Sequence, residues 1–353
     1  MTESTHMRSI EEWVEFSFEQ RWTDGLPVIP PTPAAVENML ADLAADPGEV
    51  VCVVPPAQGE ATMEKIAINC VMAGCRKEYL PVVVAALRAM TEPEFNLHGV
   101  QCTHHNVQPL TVVSGPLVEA LDFNTSYGFF GGGSRANATI GRAVRLVLWN
   151  IGGGYTGNPD RSSSAHPGRY TFCIGENSAE SPWLPLHVRR GVGTGTDSAV
   201  TVFASEAPQW VAYGVICPPV QNLWLISEAL SNVTYNSAHH AQGEVLVIFS
   251  PGVMEGLERG GWDEHTIQEY LFRNSGNRVA DVLVSPFYER DVEFIEAGWE
   301  GIIDKQDLGA HVPVVSDPRS FMLMVAGGSG APLVCKGWGR FGGSAVTRVV
   351  EPL

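Results

Sequence analysis

Five apolar runs organise the chain: residues 50–56 (VVCVVPP), 110–114 (LTVVS), 199–205 (AVTVFAS), 245–250 (VLVIFS) and 321–328 (FMLMVAGG). They are continuous rather than alternating, which is the pattern of strands buried on both faces, as in a parallel sheet. Each ends at prolines or at a small-residue turn. Between them the period lengthens to that of helices. Thr62 is a helix cap, Ile66, Cys70 and Ala73 follow at helical spacing, and Gly74 supplies a left-handed stop. A second helix is predicted over residues 78–90, with Pro81 tolerated in its first turn. Others are predicted over 10–21, after the Thr32–Pro33 cap, over 138–149 and over 222–230. The expected fold is α/β with mostly parallel open sheets, whose sites gather outside the carboxyl ends of the strands.

One arrangement recurs. His104–His105 precede the run ending at Ser114, and His239–His240 precede the run ending at Ser250. The chain is therefore read as two similar halves, 1–195 and 196–353, the second a repeat of the first. The first half closes on a long Gly-rich connecting segment, 115–195, containing GFFGGGSRANATIGRA. Loops of that length are uncommon unless they serve a site.

Composition narrows the function classes. A net charge of −17 argues against nucleic acid or an anionic membrane surface as partner, though an anionic substrate needs only a local cationic pocket. No stretch approaches the roughly 20 apolar residues of a spanning helix, and no signal-peptide core opens the chain. Seven cysteines, an odd number without repeated spacing, predict reduced thiols and a cytoplasmic protein. The expected partner is a small-molecule substrate, and self-association as a homo-oligomer is left open.

Candidate chemistry starts at Cys75, placed at the start of the second helix, where free N–H groups, Arg76 and Lys77 favour a thiolate. His104 or His105 is the candidate base for it. Glu176, directly after a strand-end glycine, is the candidate carboxylate. Ser134, Arg135, Asn137 and Arg142, with Arg76, are the candidate substrate-binding set, because glycine-flanked amides and guanidinium groups suit anions. This loop is neither a Walker A nor a dinucleotide motif, so no cofactor is specified. No metal-ligand motif is present, but if the repeat holds, four histidines could meet across a twofold axis and bind a transition metal. The readings are a cysteine-dependent lyase or thiol-redox enzyme, a metal-dependent lyase or hydrolase using the His-His pairs, and a non-catalytic ligand-binding protein.

The segments DGLPVIPPT, AINCVMAGCRKEYLPVVVAAL and GSRANATIGRA, at residues 24–32, 67–87 and 133–143, resemble a largely uncharacterised bacterial family related to proteins with a UGSC motif. In those proteins selenocysteine or cysteine occupies the reactive position. The resemblance implies a reactive-thiol site in an α/β protein, with Cys75 as the corresponding residue. This chain departs from the motif in carrying AGC followed by Arg76.

Overall fold

The computed structural model describes residues 9–44, 46–211, 214–233, 235 and 237–353. The helical period opens the chain with α1 (Ile10–Glu19) and α2 (Pro33–Leu40), the latter capped by Thr32, whose Oγ1 accepts from the Ala35 amide at 3.3 Å. A hairpin of β1 (Val50–Val54) and β2 (Gly59–Thr62) leads into α3 (Met63–Ala73), capped by Thr62. Gly74, at φ +88°, stops α3 as expected. After a 3-10 turn at Lys77–Tyr79 come α4 (Leu80–Met90) and α5 (Leu97–Cys102).

Two four-stranded sheets follow, and they share one pairing pattern. In the first, β3 (Gln108–Ser114) pairs in parallel with β4 (Cys173–Gly175) and antiparallel with β5 (Ala199–Ser205). Between β3 and β4 lie α6 (Leu117–Ala120) and the long α7 (Arg135–Asn150). The short helix α8 (Leu186–Arg189) precedes β5. In the second sheet, strand β6 (Gln209–Trp210) forms one edge, and helices α9 (Pro219–Leu230) and α10 (Ser237–His240) lead to β7 (Val245–Phe249). Helices α11 (Pro251–Arg259) and α12 (Glu264–Asn274), a small β8 (Gly276–Arg278) and β9 (His311–Pro313) ladder, and α13 (Val279–Leu283) and α14 (Pro286–Trp299) intervene before β10 (Phe321–Val325). Strand β7 pairs in parallel with β10 and antiparallel with β11 (Leu333–Lys336).

The outer edges are exchanged. After β5 the chain crosses to β6, on the edge of the second sheet. After β11 it crosses back to β12 (Val346–Val349), on the edge of the first. The two crossings meet at an isolated bridge, Ser205 to Gly337. The first sheet thus draws strands from both sides of residue 195.

Side-chain alternation along buried strands explains the layers. On the first sheet, Val113, Cys173, Val200 and Val202 face outward into a core with α3, α4 and α7. On the second, Val245, Val247, Leu323 and Val325 face outward to α9, α11 and α12. The inward set, with Leu110, Val112, Ile174 and Phe203 from one sheet and Leu246, Ile248, Met322 and Met324 from the other, fills the space between them. Four layers result: helices, sheet, sheet, helices.

Three expectations need correction. The sheets are mixed: each four-stranded sheet has one parallel pairing and two antiparallel ones. The run at 50–56 is no buried sheet strand but half of an antiparallel hairpin, with Val50 and Val53 exposed. Segment 115–195 is more than a connector, since α7 within it is a core helix. Among the described residues, no helix is long and apolar enough to cross a membrane.

Candidate functional site

The two histidine pairs line one cleft of about 580 Å³. They sit at the amino ends of β3 and β7, not at the carboxyl ends. Because β5 and β11 run antiparallel to those strands, their own carboxyl ends arrive at the same place and bring Glu206 and Trp338 with them.

His105 is held in place from more than one side. Its Nε2 lies 2.8 Å from Glu206 Oε1, and its ring stacks on Trp338 at 5.7 Å with an interplanar angle of 8°. The Thr103 hydroxyl accepts from the His105 amide and fixes the turn. With Nε2 engaged by a carboxylate, Nδ1 is the ring nitrogen left for other partners. Glu206 is held by the crossing itself, its amide donating to Lys336 O at 2.8 Å. Lys336 is buried beside it; burial pulls the ammonium pKa down, and the charge of Glu206 acts against that shift. His166 is also held below the usual imidazole range by burial, against the pull of the Ser205 backbone and Glu206. His104 is exposed, and its backbone carbonyl accepts from Ser163.

The opposite wall comes from α10 and α14. His239 is buried against Phe287, its ring centroid 5.2 Å away, and burial lowers its pKa. His240 packs edge-on against Phe341. Asp291 sits where α14 breaks helical geometry, at φ −118° and ψ 27°. Its pKa is lowered mainly by its hydrogen bonds from Arg290, with smaller contributions from His240 and His239. The pairs meet in one cleft, but they do not converge on a point: among the described residues, no group of three His, Cys, Asp or Glu is placed to hold a metal.

Cys75 is elsewhere and does not pair with either histidine of the first pair. It is 7% exposed, its thiol donates to Thr139 O at 3.3 Å, and it is not part of the histidine cleft. Arg135 Nε donates to Gly74 O at 2.9 Å, closing the end of α3, and exposed Arg76 lies over Tyr79.

The other members of the expected binding set bond to the protein itself. Arg142 grips Asp24 through two hydrogen bonds, at 3.0 and 2.9 Å, and also donates to Leu26 O and Pro27 O. Its Nε and Nη2 thereby fasten the 24–27 segment to α7. Asn137 is buried, donating to Asn124 O and Phe129 O and accepting from the Asn124 amide. Ser134 caps α7 and donates to Asn137 Oδ1 at 2.7 Å. Glu176 lies in a second cleft, of about 540 Å³, at the carboxyl ends of β3 and β4. It accepts from the Leu186 amide at 2.8 Å and pairs with Arg189 at 3.4 Å; burial still raises its pKa above the usual carboxylate range.

Sequence reasoning missed Glu206, Trp338 and Asp291. Glu206 carried a signal: like Glu176, it directly follows a strand. Asp291 carried none, because its role depends on a break inside a helix.

No family model, curated protein or solved structure matches this chain.

Proposed function

We propose that the protein is an enzyme that acts on a small polar or anionic molecule by proton transfer, as in elimination, addition or hydrolysis. His105 is the general base, Glu206 orients it, and the cleft of the two histidine pairs is the active site. The observation that carries the reading is the 2.8 Å His105–Glu206 contact, stacked on Trp338, at the edge of a cleft sized for a small molecule. Imidazoles on the facing wall, near Asp291, supply groups to hold or return a proton.

The common strand order of the two sheets supports two related halves, with His105 and His240 at corresponding positions before β3 and β7. The free thiols of all seven cysteines agree with a reducing, cytoplasmic setting as part of this reading.

The test is turnover across a panel of hydroxy acids, unsaturated acids, esters and amides. His105→Gln should lower kcat by about 10²- to 10⁴-fold, the usual share of general acid–base catalysis. Glu206→Gln should lower it less and shift the pH profile, while Cys75→Ser should leave it intact. Turnover that survives His105→Gln but is lost in Cys75→Ser would transfer the chemistry to the thiol.

A further inference from the structure

A pair of cysteines lies outside the histidine cleft, where α3 ends. The amide of Cys75 donates to Cys70 O at 2.9 Å, and the amide of Gly74 donates to Val71 O at 2.9 Å. With Gly74 at φ +88°, this is the paired-bond helix stop in which the side chains three residues before the cap and just beyond the stop come into contact. Both contacting side chains are cysteines here, and the Cys70 thiol hydrogen-bonds to Cys75. Two sulfurs are thus held side by side by backbone geometry alone. They are not equivalent: Cys70 is fully buried, whereas Cys75 retains 7% exposure next to exposed Arg76. Arg135 is fixed on the carbonyl just before Cys75.

We propose that Cys70 and Cys75 form a redox-active dithiol, Cys75 attacking and Cys70 resolving, which is oxidised by low-molecular-weight disulfides. The Cys75 thiolate attacks one sulfur of the small disulfide, forming a mixed disulfide and releasing one thiolate. The Cys70 sulfur then attacks Cys75, passing its proton to the departing thiolate, so that the internal bond forms and the second small molecule leaves as a thiol. Two protein thiols are oxidised and one small disulfide is reduced to two thiols. The hydrogen bond from Cys70 already holds the resolving sulfur next to its target.

The chain carries its own assay. Trypsin cuts after Lys65 and Arg76, releasing residues 66–76 with both cysteines and no other. The folded protein is equilibrated with mixtures of oxidised and reduced glutathione, quenched with an alkylating agent, digested and weighed. The expected result is a 66–76 peptide that is two hydrogens lighter and unalkylated at oxidising ratios, restored by dithiothreitol. Cys70→Ala should instead trap one glutathione on Cys75, and Cys75→Ala should leave Cys70 unmodified. Cys52, Cys102 and Cys217, which are partly exposed, serve as internal controls. If these controls take up glutathione while peptide 66–76 is alkylated on both sulfurs, the proposal is overturned. It is equally overturned if wild-type protein stops at a mixed disulfide on Cys75. Both outcomes are read without substrate, so they are independent of the histidine cleft.

Discussion

Arg142 illustrates how a residue's chemistry can be legible while its partner is not. A guanidinium after a glycine-rich turn suits an anion, and it does bind one: the carboxylate of Asp24, whose side chain is 2% exposed. The sequence separation hides the pairing, because nothing local says that the 24–27 segment returns to α7. Arg142→Gln therefore should destabilise the fold by about 3–5 kcal/mol, the cost of stranding a buried charge. Denaturant melts should show that loss, with ligand affinity of the remaining folded protein unchanged. A second expectation concerns pH. Burial holds His166 and His239 below the usual imidazole range in the folded chain. The unfolded chain takes up protons near pH 6.5 that the native one refuses, so these rings favour the native state above about pH 6.5. Their contribution should fall as pH drops below that value toward their folded pKa values. Urea titrations between pH 7 and pH 5 should show the decline, and His239→Gln should flatten it; an unchanged slope would remove His239 from the account.

At the scale of elements, caps were the readable signal and strand partners were not. Thr32, Thr62 and Gly74 act within a few residues of themselves, so composition and order suffice to place them. The run at 50–54 has the same apolar character as β3, yet it ends in a two-stranded hairpin. An apolar run records that a strand packs against something, not how many strands flank it. The mixed sheets were unreadable for the same reason: direction is decided by where the chain returns, as when β5 comes back antiparallel to β3. Gly74 provides the element-scale test. A Cβ there would meet only ordinary contacts, Ile29 Cδ1 at 3.5 Å and Thr139 Cγ2 at 3.7 Å. The cost of Gly74→Ala is then mainly the left-handed backbone, about 1–2 kcal/mol. Gly74→Asn should cost less, because asparagine visits that region more readily. A thermal melt ranking Asn at or below Ala would show that the packing around the stop, and not its φ, sets the cost.

For the whole molecule, the exchanged edge strands decide what can fold alone. The recurring histidine–strand–small-residue order led to the expectation of a repeat, and β3 and β7 each have one parallel and one antiparallel neighbour. What the repeat could not convey is that β6 and β12 each lie on the other sheet, since a two-residue edge strand such as β6 carries almost no pattern. This exchange makes residue 195 a poor place to divide the chain. A fragment of residues 1–195 keeps β3 and β4 but lacks β5 and β12, so one whole side of β3 would present unpaired backbone groups and exposed Val113 and Leu110. Bare apolar edges of that kind associate instead of remaining monomeric. Fragments 1–195 and 196–353, produced separately, are therefore expected to be aggregated or molten, and the intact chain to unfold in one cooperative transition. Coexpression should restore folded protein, because the pieces together supply all eight strands of the two sheets. A soluble 1–195 fragment with a dispersed amide spectrum would mean that the first sheet is stable without its returning strands. The crossing at Ser205 and Gly337 would then be a contact between independent units, and the histidine cleft, which takes His105 from one side and Glu206 and Trp338 from beyond residue 195, would form only on their docking.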